Sequence, residues 1–91
     1  MDYLKKVDEI VYLLSEIDAE LVIHQIKSAK LMGGTGGEIF SIICSLLKTH
    51  EIQNPELFNV IKKPAYEIFD YAKSLGRTPH ANFDLLDELS K

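Results

Sequence analysis

The feature of this sequence that most limits its fold is the glycine-rich segment 31–39, which contains signals for the end of one helix and the start of another. Gly33 and Gly34 suit a helix C-terminus, because a residue without a Cβ adopts the left-handed conformation found there at little cost. Thr35 and Glu38 have the S/T-x-x-E spacing of a capping box, in which each side chain binds a backbone N–H of the other residue. The middle of the chain is therefore predicted to be two helices joined by a tight turn.

Apolar residues recur every three or four positions on both sides of this turn, which is the spacing of one helix face. A first helix is predicted over about 2–15, with Asp2 as a favourable N-cap. A second is predicted over about 18–31, with Asp18 as its N-cap. The third, over about 36–49, is apolar on most of its circumference and is predicted to be the centre of the fold.

The fourth helix is predicted to begin at Asn54, as N-cap, with Pro55 at the first helical position. Pro64 lies within it, where a proline costs about 3 kcal/mol. The apolar positions nevertheless stay in phase across Pro64, which favours a kinked helix, or two nearly collinear helices, over a loop. Gly76 is predicted to end this segment, and a short helix is predicted after Asn82. The inner face of that short helix is predicted to hold Phe83, Leu86 and Leu89.

The predicted fold class is all-α, because no stretch alternates apolar and polar residues over a useful strand length. Short connections predict an antiparallel up-and-down bundle of four main helices, with a short helix at the C-terminus. Residues 1–91 are predicted to form a single domain, since two cores in a chain of 91 residues would each be too small. The single cysteine, the absence of a secretory apolar region and the shortness of every apolar run predict a cytoplasmic protein that does not span a membrane.

Negative charge is concentrated at the start of the chain. Residues 1–20 contain six acidic residues against Lys5 and Lys6, a balance equal to the net charge of the whole chain, which is −4. Arg77 is the only arginine. A nucleic-acid surface requires clustered lysine and arginine, so direct nucleic-acid binding is not expected.

No pattern in the sequence assembles a catalytic or metal site. The glycine loop 33–37 lacks the lysine of a phosphate-binding loop, and Glu38 already places a carboxylate at that helix N-terminus. Cys44 and His50 are six residues apart, which places them on different faces of one helix. The three histidines are dispersed and are expected to be solvated or to cap helices. No cofactor, metal ion or enzymatic activity is therefore expected.

Tyrosines and acidic residues lie together on the sides of the first and fourth helices opposite their apolar stripes. Tyrosine is favoured at interfaces because it provides a large contact area and a hydrogen-bonding hydroxyl at low entropic cost. Neighbouring carboxylates favour a basic protein partner and accelerate its association. The alternative is an ordinary solvated outer face. The predicted partner-binding residues are Asp8, Glu9, Tyr12 and Glu16 on the first helix and Tyr66, Glu67, Asp70 and Tyr71 on the fourth.

In size, acidic charge and helical build the chain resembles bacterial immunity proteins, which neutralise toxins, often nucleases, by covering a positively charged surface. The resemblance is one of general type, and no motif or residue is carried over from it. It implies an inhibitor whose partner is a basic toxin domain. The alternative expectation is a regulatory or structural homodimer without catalytic activity, in which the apolar arcs of the second and third helices meet across a two-fold axis.

Overall fold

The computed structural model describes residues 2–91, which form five α-helices and, within that range, no strand. Each of the four long helices packs against the next, the fourth closes on the first, and the short fifth helix covers the second and third. The predicted all-α bundle of four main helices and a short C-terminal one is thereby confirmed. The helices are α1 (Tyr3–Glu16), α2 (Glu20–Met32), α3 (Gly36–Gln53), α4 (Pro55–Ser74) and α5 (Asp84–Leu89).

The central helix is α3, as the sequence predicts. It packs against α2, α4 and α5, so its buried side chains extend around much of its circumference. Burying one large aliphatic side chain contributes about 1.5–3 kcal/mol, so α3 provides a large part of the hydrophobic stabilisation. The apolar arc of α3 is thus covered within one molecule and is not free for a two-fold interface, contrary to the expectation. The buried residues of α3 are Phe40, Ile43, Cys44, Leu46, Leu47, Thr49 and His50.

Contacts between α1 and α4 show that the two helices are antiparallel. Lys6 Nζ lies 2.5 Å from Glu67 Oε2, which joins the start of α1 to the second half of α4. At the same end, the Phe40 ring makes edge contacts with Tyr3, at 4.8 Å between centroids, and with Tyr71, at 5.6 Å. This end of the bundle is therefore held by an aromatic cluster and an ion pair.

The helix α4 continues without interruption through Pro64, whose side chain is buried. The prediction that the apolar phase carries the helix across this proline is confirmed. Ile61, Ala65 and Ile68 are fully buried on both sides of it. Both halves of α4 therefore pack on the same core, which compensates for the hydrogen bond that proline cannot donate.

The C-terminus of α4 is closed by a Schellman motif. The N–H of Arg77 donates to the carbonyl of Ala72 at 2.9 Å. The N–H of Gly76 donates to the carbonyl of Lys73 at 3.0 Å. Gly76 has a φ of 76°, the left-handed conformation that this motif requires. Gly76 therefore ends the helix as predicted.

The C-terminus of α1 has the same motif, with Asp18 in the position of the glycine. The N–H of Ala19 donates to the carbonyl of Leu14 at 3.0 Å, and that of Asp18 to Ser15 at 3.3 Å. Asp18 has a φ of 55°, which an aspartate adopts at some cost. The prediction that Asp18 is the N-cap of α2 is wrong, because Ala19 occupies that position and no side chain caps the helix.

Asp18→Gly is expected to raise the free energy of unfolding by about 1 kcal/mol, because glycine adopts the left-handed conformation without a Cβ penalty. Gly76→Ala is expected to lower it by a similar amount, about 1 kcal/mol. Urea denaturation followed by circular dichroism measures both changes. A loss of stability in Asp18→Gly would instead indicate that the aspartate acts as a helix cap.

The turn between α2 and α3 contains the predicted residues in partly different roles. Gly33 is extended, with φ −75° and ψ 134°, rather than left-handed. Glycine is required there because a Cβ would lie 2.5 Å from Cγ1 and 2.8 Å from the backbone nitrogen of Ile39. Thr35 is the N-cap of α3, and its Oγ1 accepts from the N–H of Glu38 at 3.2 Å. The Glu38 carboxylate accepts from Gly34 at 3.0 Å rather than from the N-cap, so the predicted capping box closes one residue earlier.

Gly33→Ala is expected to lower the free energy of unfolding by about 1–3 kcal/mol, because the new methyl group overlaps Ile39. Gly36 is the matched control, since a Cβ there would meet nothing within 4 Å. Gly36→Ala is expected to leave stability unchanged or to raise it by up to about 1 kcal/mol. Equal losses in both variants, measured by urea denaturation, would contradict the assignment of Gly33 as the position of close approach.

Candidate functional site

The predicted partner-binding residues of α1 lie on one exposed side of that helix. Val7, Ile10 and Leu14 are buried against the bundle, so residues on the opposite side of α1 project into solvent. Tyr12 is 63% exposed, which is high for a large aromatic side chain. We call this surface the α1 face, and its residues are Asp8, Glu9, Tyr12 and Glu16, all of which are exposed.

Lysine contacts neutralise the α1 face only in part. Asp8 lies 3.7 Å from Lys30, and the Asp8 side chain is 74% exposed. Glu9 lies 3.7 Å from Lys6, but Lys6 is 2.5 Å from Glu67 and pairs chiefly with that residue. Long, exposed ion pairs contribute about 0–1 kcal/mol, so Asp8 and Glu9 remain available to a partner.

Tyr12 and Glu16 interact with each other across one helical turn. Hydrogen bonding by the Glu16 carboxylate raises the pKa of the Tyr12 hydroxyl above its ordinary value. Among residues 2–91, Glu16 has no cation within ion-pair distance. The phenol therefore stays protonated at neutral pH, beside a carboxylate that has no cationic partner in the described chain.

Tyr66 lies on the flank of α4 that faces α3. Its hydroxyl donates to Oε2 of Glu51 at 2.8 Å, which raises the pKa of Tyr66. Its ring lies 5.8 Å from that of Phe58 and 6.0 Å from that of Phe69. Asp70 is exposed and lines the same surface concavity as Tyr66 and Glu51. Tyr66 is thus part of the packing between α3 and α4, although 40% of it is exposed.

Glu67 and Tyr71 lie on the other flank of α4, beside α1. The Lys6 ammonium is 2.5 Å from Glu67 and lowers the pKa of that carboxyl. Tyr71 is half-buried and packs edge-on against Phe40. These four residues of α4 were expected to face outward together, and that expectation is wrong. Tyr66 and Asp70 lie on the flank beside α3, whereas Glu67 and Tyr71 lie on the flank beside α1.

A buried polar network between α2, α3 and α5 was not anticipated from the sequence. Gln25 and His50 are each 3% exposed. Nε2 of His50 donates to Oε1 of Gln25 at 2.8 Å, and Nδ2 of Asn54 donates to Nδ1 of His50 at 3.0 Å. Nε2 of Gln25 donates to Ser90 Oγ at 2.8 Å. His50 is thus buried rather than solvated, and the Asn54 side chain binds it instead of capping α4.

The His50 network requires the neutral imidazole, since Nδ1 accepts a hydrogen bond. Burial lowers the pKa of His50 from its ordinary 6.5. One signal for this position exists in the sequence: His50 follows Ile43 and Leu46 at the spacing of the apolar arc of α3. The network therefore fixes how α2, α3 and α5 meet.

The free energy of unfolding is expected to fall as the pH is lowered below about 6.5. The unfolded chain then binds a proton at His50 that the folded chain does not, so the loss continues down to the lowered folded-state pKa. The lowered pKa values of Glu51 and Glu67 add a separate loss only below 4.5. Urea denaturation between about pH 7.5 and 5.5 isolates the histidine effect.

His50→Gln is expected to destabilise the protein at neutral pH and to reduce the pH dependence in this window. His24→Gln, a change at an exposed histidine on α2, is the control and should preserve that dependence. A wild-type stability that stays constant over the window would contradict a buried, neutral His50.

The cysteine and the possible metal-binding side chains of the described chain were the remaining candidates for chemistry. Cys44 is 4% exposed, and burial raises its pKa to about 11, so the thiol is protonated and unreactive at neutral pH. Within residues 2–91, no three His, Cys, Asp or Glu side chains are arranged to hold a metal ion. In the same range, every helix is too short or too polar to cross a bilayer.

Comparison with known proteins places the chain in no family. No protein-family model, curated protein or solved structure matches it. Any inference about function therefore depends on the surfaces of this molecule. Tyr12 of the α1 face is more exposed than Tyr66 of α4, and the acids around it are unpaired or only weakly paired with lysine.

Proposed function

We propose that the protein is an interaction module whose α1 face binds a basic protein. We further propose that this partner is a toxin domain, which the module neutralises by covering its positively charged surface. The observation on which the proposal chiefly depends is Tyr12, 63% exposed among three exposed carboxylates on one side of α1.

The chemistry of the α1 face suits a cationic partner. The carboxylates of Asp8 and Glu16 accept hydrogen bonds from guanidinium and ammonium groups, and such charge-assisted bonds are stronger than neutral ones. The Tyr12 ring offers a cation–π surface beside these carboxylates. Acidic charge at a surface also accelerates the encounter with a basic protein.

The position of α1 in the bundle also supports the proposal. Asp2 caps the helix by accepting from the N–H of Leu4 at 3.1 Å, and the Schellman motif at Asp18 closes its other end. The buried side of α1 is packed on α2 and α4. The α1 face is consequently presented on a helix that is ordered before binding, which reduces the entropic cost of association.

Combining Asp8→Lys with Tyr12→Ala is expected to weaken partner binding by about tenfold or more, because it reverses one charge and removes the aromatic anchor. The melting temperature should change little, since both side chains are exposed. The candidate partner is the product of the neighbouring gene, because inhibitors are usually encoded beside their targets. Its affinity is measured by isothermal titration calorimetry, and its neutralisation by survival of cells that express both proteins.

Glu88→Lys is the matched control, since it makes the same change in net charge at an exposed position of α5. It should reduce affinity far less than the α1 variant, and wild-type affinity should fall as salt rises. Equal weakening by the two variants would mean that only overall charge matters. A large loss of melting temperature in the α1 variant would mean that these residues are structural.

A second candidate function, a homodimeric regulatory or structural bundle, is favoured by exposed apolar side chains on α2. Leu31 is 88% exposed, Leu21 59% and Met32 48%. Large exposed apolar groups at one helix are typical of self-association surfaces. Sedimentation of the isolated protein separates the two candidates, because the inhibitor is expected to be a monomer until its partner is added.

A further inference from the structure

A cavity of about 420 Å³ lies between α3, α4 and the segment 77–80. Small-molecule sites in proteins measure about 300–1,000 Å³ and combine an apolar lining with a few polar groups. This cavity has that composition, and no residue that lines it carries a carboxylate. Its principal lining residues are Phe40, Cys44 and Ala72, which are apolar, and Ser41, Ser45 and Arg77, which are polar.

Arg77 brings an uncompensated positive charge to this cavity. Among residues 2–91, no carboxylate lies within ion-pair distance of its guanidinium. Nη1 donates to Oγ of Ser41 at 3.0 Å and to the carbonyl of Gly37 at 3.3 Å. The guanidinium carbon also lies 5.6 Å from the centroid of Phe40. These contacts orient the group through Nη1, and within residues 2–91 Nη2 makes no hydrogen bond, so its N–H groups retain donor capacity.

The segment 77–82, which forms one side of the cavity, is hydrogen-bonded to the bundle at both of its ends. The backbone N–H of Arg77 donates to the carbonyl of Ala72 at 2.9 Å, where α4 ends. The backbone N–H of Asn82 donates to Oγ1 of Thr49 on α3 at 2.9 Å. The intervening segment is thereby held against α3, so the cavity exists before any ligand binds.

The floor of the cavity is uncharged. Burial raises the pKa of Cys44 to about 11, although the positive charge of Arg77 opposes this rise. The thiol is therefore neutral at physiological pH and does not compete with an anion for the guanidinium. It also supplies no nucleophile, so the arrangement suits binding rather than a reaction.

We propose that this cavity binds a small organic acid, with its carboxylate paired to Arg77 and its apolar part packed on Phe40, Cys44 and Ala72. An unpaired guanidinium above an apolar floor is complementary to such an amphipathic anion. No residue of α1 lines the cavity, so the site is separate from the α1 face and does not depend on the function proposed there.

The probe for this site is 4-phenylbutyrate, an aromatic ring joined to a carboxylate by a short chain. Its neutral amide serves as the matched control. Titration into the 15N-labelled protein is expected to shift the amide signals of Ser41, Cys44, Ala72 and Arg77, with a Kd of about 1 mM or tighter. The neutral amide is expected to bind at least about tenfold more weakly, because it lacks the charge that Arg77 recognises.

Arg77→Gln is expected to weaken 4-phenylbutyrate binding by about tenfold. Lys73→Gln removes the same charge from an exposed residue of α4 that does not line the cavity, and should leave binding unchanged. Arg77 also helps to hold the segment 77–82, so Ser45→Phe provides a second variant, which fills the cavity and retains the guanidinium. Circular dichroism confirms that each variant is folded.

Loss of binding in Arg77→Gln and Ser45→Phe, with normal binding in Lys73→Gln, would support the site. Absence of saturable binding, equal affinity for the acid and its amide, or signal changes centred outside the cavity would each overturn it. These outcomes are independent of any partner of the α1 face, so failure here leaves that proposal standing.

Discussion

The architecture depends on covering α3 on nearly all sides. Because its apolar residues extend around the helix, α3 requires neighbours in several directions, and α2, α4 and α5 supply them. The two polar residues buried at its C-terminal half, Thr49 and His50, would each cost stability if left without hydrogen bonds. Gln25 binds His50, and the Thr49 hydroxyl donates to the carbonyl of Ser45 within α3 and accepts from the backbone N–H of Asn82. The position of α5 is therefore determined by hydrogen bonds to buried polar side chains as well as by burial of its apolar residues.

Covering α3 leaves α1 on the outside of the bundle. It packs chiefly on α2 and α4, and its ring contact with α3 is confined to Tyr3 at one end. Lys6 of α1 pairs most closely with Glu67 of α4, at 2.5 Å, and more distantly with Glu9 of its own helix, at 3.7 Å. Lys5 is exposed three and four residues before Asp8 and Glu9, on the same side of α1. The α1 face is therefore acidic on balance, with one lysine beside its acids and another shared with α4.

Local sequence signals predicted the helices well, because periodicity and capping are properties of short segments. Asp2, Gly76 and the continuity of α4 through Pro64 all follow from them. The errors arose where tertiary contacts decide the role of a residue. Aspartate is a common N-cap residue, but Asp18 instead adopts the left-handed conformation that ends α1. Glycine is needed at position 33 because Ile39 lies too close for a Cβ there.

The candidate site was predictable on α1 but not on α4, for a reason of helical geometry. On α1, Asp8, Tyr12 and Glu16 are spaced four apart and so share one side. Tyr66 and Tyr71 are five apart, which corresponds to about 140° around a helix, so they face different neighbours. Periodicity identifies the buried side of a helix. It does not show which neighbouring helix each flank contacts, because that depends on the tertiary arrangement.

The α1 face and the cavity beside Arg77 are connected through residues that pack against α1. Phe40 lines the cavity, and its ring is 4.8 Å from that of Tyr3, the first residue of α1. Tyr12 is nine residues further along the helix, or about 13 Å at the rise of an α-helix. Sites at such a separation without shared contacts are usually energetically independent. Two routes lead from the cavity to α1, one from Phe40 to Tyr3 and one through α4, which contributes Ala72 to the cavity and packs along the buried side of α1. An organic acid in the cavity would therefore act first on the packing of α1 and only indirectly on the exposed residues that meet a partner.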